Sequence, residues 1–136
     1  MPEENNQPSS PSPKIIIVED TEEIRNAIAA ALKNEGYEAT AVADGEEGYL
    51  FAKKMKPQLM LVDVMMPRSD GISMIKRIKK EDWGQEINFI ILTNVSNDDV
   101  HQQAKEIGVE DYYIKSEWPL GKLMEIVTNK INSISQ

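Results

Sequence analysis

Five polar residues stand where short apolar runs end, and their types define one chemistry. IIIV is followed by Glu19 and Asp20, LMLV by Asp63, FIIL by Thr93 and YYI by Lys115. Brought together, three carboxylates repel one another and raise each other's pKa unless a cation neutralises them. Oxygen-only donors favour a hard divalent ion. There is no cysteine, and the single histidine, His101, falls in a predicted helix away from this group; Mg²⁺, keeping several waters of its shell, is the expected occupant. Lys115 adds a point charge and Thr93 a hydroxyl donor, the complement that a phosphoryl group needs as its charge develops. Asp63 is then the candidate nucleophile.

The elements that must position these residues follow from periodicity. From Lys14 onward, short runs rich in Ile, Val and Leu alternate with stretches of helical spacing, the signature of βα units. Strands are predicted over residues 14–18, 37–42, 58–62, 87–92 and 111–114. The apolar ones read as buried on both faces. Ile24, Ala27, Ile28, Ala31 and Leu32 form one helical stripe, and Leu120, Leu123, Met124, Val127, Ile131 and Ile134 another. Further helices are expected over 44–55, 71–80 and 96–107. Asp20 with Glu23, and Ser96 with Asp99, have capping-box spacing, while Gly36 and Gly108 fall where helices end. Five βα units fit an open doubly wound parallel sheet better than an eight-fold barrel. In such a sheet all strand carboxyl ends share one edge, so the five residues should converge there.

Composition narrows the alternatives. The chain has 136 residues, length for one domain. Fifteen Lys and Arg against 23 Asp and Glu give a net charge of −8, poor support for a grip on nucleic acid or on an anionic membrane. The lack of cysteine excludes disulfide scaffolds, Cys-ligated zinc and thiol catalysis. No apolar run reaches the roughly 18 residues of a membrane span, and the N-terminus has no signal-peptide pattern; a cytoplasmic location is expected. Residues 1–13 hold four of the seven prolines and no apolar residue beyond Met1, so a disordered tail is expected before a domain over 14–136.

Each residue also has a plainer reading. Asp20 could be only a helix N-cap. Thr93 alone is a loop hydroxyl bonding nearby backbone, and Lys115 alone a solvated charge. His101 reads as an exposed helical residue, and Met65 with Met66 as packing. Asp63 resists the plain reading, because it leads into Met66-Pro67 and then Gly71, a turn that sets up the next helix. The joint placement carries the argument.

With the acidic pair after the first strand, Asp63-Val64-Met65-Met66-Pro67 through Gly71 as D-x-x-M-P-x-x-x-G, Thr93 after the fourth strand and Lys115 after the fifth, the chain resembles the receiver domain of bacterial two-component response regulators. The resemblance runs from Lys14 to about Ser133. It implies a CheY-like fold with strand order 2-1-3-4-5 and five helices. It further implies that Asp63 takes a phosphoryl group from a phosphohistidine of a sensor histidine kinase or a histidine phosphotransfer protein, as a signalling domain rather than an enzyme with turnover. By the same resemblance Asp20, Asp63 and the Met65 backbone carbonyl bind Mg²⁺, with Mn²⁺ as a substitute, and Glu19 acts through metal-bound water. Lys115, Thr93 and the Asn94 backbone hold the phosphoryl oxygens. The switch comprises Thr93, moving toward the phosphate, and Tyr112, the aromatic of the fifth strand, turning inward. The output face for a downstream protein is the fourth helix, fifth strand and fifth helix; whether phosphorylation drives dimerisation is left open.

Three positions depart from the family pattern. Glu19 stands where Asp is commoner, Asn94 where a small residue is usual, and Ser116 where a proline follows the lysine through a cis bond; Trp118-Pro119 can restart the last helix instead. Met65 and Val95, flanking the site, are apolar and cannot orient an attacking water, so a slowly hydrolysing phosphoform is expected. Three other readings compete. A haloacid dehalogenase-type phosphatase shares the Asp, Mg²⁺, Thr and Lys but needs an acid where Met65 stands. A phosphate-independent interaction module with this fold is the alternative from a different class, and a flavodoxin-type FMN binder is opposed by Glu19, Asp20, Glu22 and Glu23 after the first strand.

Overall fold

In the computed structural model the described residues are 12–64, 71–93, 98–115 and 119–134. Five strands and five helices alternate: β1 (Lys14–Val18), α1 (Glu22–Asn34), β2 (Glu38–Val42), α2 (Gly45–Met55), β3 (Leu59–Asp63), α3 (Gly71–Lys79), β4 (Asn88–Thr93), α4 (Asp98–Glu106), β5 (Asp111–Ile114) and α5 (Leu120–Ile134), with a 3₁₀ turn at Asp82–Gly84. All strand pairs are parallel, in the order β2-β1-β3-β4-β5. This is the expected 2-1-3-4-5 doubly wound sheet.

The central strands have no polar side because both of their faces are covered, which is why they read as continuous apolar runs rather than alternating ones. Successive side chains still point to opposite faces. Ile16, Val18, Met60, Val62 and Ile91 pack beneath the helices that supply Tyr49, Ile75 and Ala104, so α2, α3 and α4 share one face. Ile15, Ile17, Leu59, Leu61 and Leu92 meet Ile28 and Leu32 of α1 and Val127 and Ile131 of α5 on the other.

Strand ends differ from the sequence expectation in a way that matters. Asp63 and Thr93 are the last residues of β3 and β4, paired with Leu92 and Ile114 in the ladder. A polar side chain ends the apolar pattern but not the backbone hydrogen bonding, so both functional side chains start from fixed strand backbone.

Three helix expectations are corrected. The N-cap of α1 is Thr21, with no side-chain cap bond, not Asp20 in a box with Glu23; the Glu19 carboxylate occupies the Thr21 N–H instead. Ala29 is buried where Ala27 was expected, and Ile24 is exposed, because an alanine run cannot fix the helix rotation by hydropathy alone. In α5, Leu120 is 41% exposed while Leu123, Met124, Val127 and Ile131 form the core stripe. The α2 N-terminus is capped as sequence spacing allows: Asp44 accepts the Glu47 N–H at 2.9 Å and Glu47 accepts the Ala43 N–H at 2.8 Å. Gly36 (φ 96°) and Gly108 (φ 81°) follow α1 and α4 in the left-handed region that stops a helix. Ser96 and the proposed 1–11 portion of the tail lie outside the described residues.

Candidate functional site

The register brings the strand ends level. Val18 pairs with both Val42 and Val62, Asp63 with Leu92 and Thr93 with Ile114, so Glu19, Asp63, Thr93 and Lys115 emerge along one edge. Glu19 and Asp63 are each 2% exposed and Thr93 is fully buried. Oxygens of Glu19, Asp20 and Asp63 lie within 4.8 Å of one another, with Asp20 open to solvent.

Lys115, its side chain 16% exposed, reaches into this group. Its ammonium donates to Asp63 Oδ2 at 3.2 Å and, at shorter range, to Glu19 Oε1. Glu19 is held from behind, since its Oε2 accepts the Thr21 N–H at 3.0 Å. Burial pushes the Glu19 carboxyl above the ordinary range, and the nearby Asp63 charge adds to this against the opposing pull of Lys115. For Lys115, burial works to lower the pKa, but the hydrogen bond it donates to Glu19 and the charge of Asp63 outweigh it and the ammonium titrates higher than usual. Among the described residues, Glu19 and Asp63 share the Lys115 ammonium, with the exposed Asp20 carboxylate beside them. A buried surplus of negative charge among oxygen donors fits a hard divalent cation, and Glu19, Asp20 and Asp63 are the residues that would hold it.

The turn after Asp63 has its own requirement. A Cβ at Gly71 would lie 3.0 Å from the Asp63 carbonyl oxygen and 2.8 Å from Val62 Cγ1, so only glycine lets the start of α3 come this close to the strand end carrying Asp63.

Of the residues expected in the site, Glu19, Asp20, Asp63 and Lys115 come together, and Thr93 ends the strand next to that of Asp63. Tyr112 stands on β5 beside Ile91, with its ring stacked on His101 of α4. Met65, Met66, Pro67, Asn94, Val95, Ser116 and Trp118 lie outside the described residues. Sequence reading missed two contacts. The pairing of Glu19 with Lys115 was hidden because Glu19 was assigned to water and Lys115 to phosphate. Arg25 donates to the carbonyls of Asp20 at 3.0 Å and Glu19 at 3.4 Å, pinning the acidic loop; its only signal was a cation one turn into the helix after the acid pair.

The protein is thus a doubly wound parallel α/β domain with buried acids and a lysine at the carboxyl edge of its sheet. The response regulator receiver domain model matches residues 15–128, and the chain belongs to that family. It is 35% identical over 101 residues to the phosphate regulon transcriptional regulatory protein PhoB of Pseudomonas aeruginosa, covering 74% of this chain and 44% of that protein. It is 34% identical over 104 residues to the alkaline phosphatase synthesis transcriptional regulatory protein PhoP of Bacillus subtilis, covering 75% and 42%. The chain thus spans less than half the length of these relatives. Among solved structures, a CheY-like receiver domain from Methanospirillum hungatei shares the fold, with a TM-score of 0.83 at 22% identity over 93% of this chain and 98% of that one. The N-terminal domain of a Wolinella succinogenes protein has a TM-score of 0.79 at 28% identity, covering 92% and 100%. Among the described residues, no helix is long and apolar enough to cross a membrane.

Proposed function

We propose that Asp63 is the phosphoacceptor of this receiver domain, charged by a phosphohistidine on a sensor histidine kinase or a histidine phosphotransfer protein. The observation that carries this is the buried Asp63 carboxylate beside Glu19, Asp20 and the Lys115 ammonium at the strand ends. In the transfer an Asp63 carboxylate oxygen attacks phosphorus, the phosphorus–nitrogen bond of the donor breaks, and its electron pair leaves with the imidazole. Lys115 neutralises charge on the phosphoryl oxygens and Thr93 donates its hydroxyl to one of them; the Asn94 backbone is assigned a third contact. Glu19, Asp20, Asp63 and the Met65 carbonyl are the proposed Mg²⁺ ligands, Glu19 through water. The ion, when bound, supplies charge compensation between carboxylate and phosphoryl oxygens. Tyr112 and Thr93 carry the signal to the face formed by α4, β5 and α5, where a downstream protein reads it. The product is an aspartyl phosphate that hydrolyses slowly.

The test is intact mass after incubation with Mg²⁺ and acetyl phosphate, beside Asp63→Asn and a chelated sample. A gain of one phosphoryl group in the wild type alone supports the assignment. No gain, with Mg²⁺ still bound, favours a phosphate-independent interaction module; continuous donor hydrolysis favours a phosphatase. A phosphoform lost within seconds would remove the slow-hydrolysis expectation.

A further inference from the structure

Among the described residues one buried side-chain polar atom has no hydrogen-bond partner, the Tyr112 hydroxyl. An unpaired buried hydroxyl opposes the position it occupies, so other contacts must hold this ring where it is. One is the core layer that includes Ala104 of α4, against which Tyr112 and Val100 pack. The other is the ring of His101, exposed on α4, whose centroid lies 4.7 Å from that of Tyr112 with the planes 13° apart. That separation is within the range of favourable offset stacking.

The ladder relates this pair to the acidic site. Ile91 pairs with Tyr112 and Thr93 with Ile114. Alternate residues of a strand share a face, so Tyr112 and Thr93 lie on the same face of the sheet, one strand and two residues apart. Thr93 is fully buried. In a close-packed interior, displacement of its side chain toward a phosphoryl oxygen opens volume on that face, and the Tyr112 hydroxyl is already directed inward.

We propose that His101 is a positioning residue for the switch: its ring, stacked on Tyr112, holds the tyrosine hydroxyl in the buried position before any phosphoryl group arrives. His101 thereby sets how strongly occupancy at Asp63 and the buried position of Tyr112 favour each other. The inference rests on Asp63 being the acceptor. It assigns the protein's single histidine to the α4–β5 contact, not to metal or phosphate.

The test uses the whole chain with beryllofluoride and Mg²⁺ as the phosphoryl stand-in, and 3-fluorotyrosine as a ¹⁹F reporter with Tyr112→Phe assigning the resonance. His101→Ala should move the Tyr112 resonance toward a solvent-exposed value in the unliganded protein, and should weaken beryllofluoride binding about 2- to 10-fold, the range a lost ring stack allows. His101→Phe, which keeps a stacking ring, should restore both. An unmoved resonance in His101→Ala, a moved resonance with unchanged affinity, or failure of His101→Phe to restore either would overturn the proposal. Acetyl phosphate labelling of the wild type separates the two readings. If Asp63 is labelled and the His101 variants behave as wild type, only the positioning role is lost; if Asp63 is not labelled and no beryllofluoride binds, the acceptor assignment fails and the coupling with it.

Discussion

The two edges of the sheet are built from the same strands, yet they handle polar groups in opposite ways. At the amino edge polar groups near the strand starts pair with one another. Gln58 Oε1 accepts the Lys14 N–H at 2.8 Å, the Gln58 carbonyl accepts the Asn88 N–H at 3.1 Å, and Lys130 pairs with Asp111 at 2.7 Å, both about a quarter exposed (27% and 25%). At the carboxyl edge, Glu19 and Asp63 are almost fully buried and share one ammonium. Burying like charges without full compensation costs stability. The amino edge is what a sheet needs to close its ends; the carboxyl edge keeps an excess negative charge that only a cation or a reaction relieves. Local rules broken in one place and obeyed in the other mark the functional end.

The largest effect should come from removing the ammonium that Glu19 and Asp63 share. Lys115→Met is expected to destabilise the metal-free protein by about 3 kcal/mol near neutral pH, because it removes the ammonium that two buried carboxylates share. Millimolar Mg²⁺ should recover part of the loss by binding the folded state. Urea midpoints with and without Mg²⁺ measure this, and a loss that Mg²⁺ does not touch would assign the cost to packing instead of charge. Next in size is Gly71→Ala, whose Cβ must push the Asp63 carbonyl and Val62 aside. A cost of roughly 1–3 kcal/mol is expected from such overpacking, together with slower labelling of Asp63 by acetyl phosphate. Wild-type labelling kinetics in this variant would mean that α3 yields and the strand end does not.

How far the sequence alone led depends on which interactions decide each feature. The strands were legible because β1, β3 and β4 are apolar on both sides, and a run such as Ile15-Ile16-Ile17-Val18 leaves few alternatives; their order came only with the family resemblance. The convergence of Glu19, Asp63, Thr93 and Lys115 followed from one topological rule, that parallel strands share a carboxyl edge. Side-chain partnering was not legible. Glu19 accepts from both Lys115 and the Thr21 N–H, and that depends on how the ammonium enters between strands 96 residues apart in sequence. The rotation of α1 was lost in its alanines, since Ala27 and Ala29 are equivalent to any hydropathy argument. His101 was read correctly as exposed, but exposure hid its ring contact with Tyr112, which arises only when α4 lies over β5.

The amino edge should respond weakly. Asp111→Asn breaks the pair with Lys130, but the pair is solvated, so at most about 1 kcal/mol is expected. Labelling of Asp63 should be unchanged, since the substitution sits at the far end of β5. A measurable loss of labelling would show that the two edges are mechanically linked through that strand.

The smallest expected effect separates the edges by pH. Burial, then the charge of Asp111, raises the Tyr113 hydroxyl pKa above the usual tyrosine value. The unfolded tyrosine loses its proton near pH 10, so above that the native state holds more protons and stability falls as pH rises. Lys115 acts with the same sign: its raised pKa means the ion-pair contribution is complete below about pH 10.5 and is lost as pH climbs through the native value. Tyr49, raised first by its hydrogen bond to Glu81, adds to the same limb in every variant. Urea midpoints from about pH 8 to 11 in wild type, Asp111→Asn and Lys115→Met therefore form one series. Lys115→Met should show the shallowest alkaline limb, because a whole titrating group is gone, and Asp111→Asn only a slight flattening, because burial still holds Tyr113 neutral. Equal limbs in wild type and Lys115→Met would mean that Glu19 and Asp63 do not hold the ammonium in its charged form, and the contrast between a balanced edge and a charge-loaded one would lose its electrostatic basis.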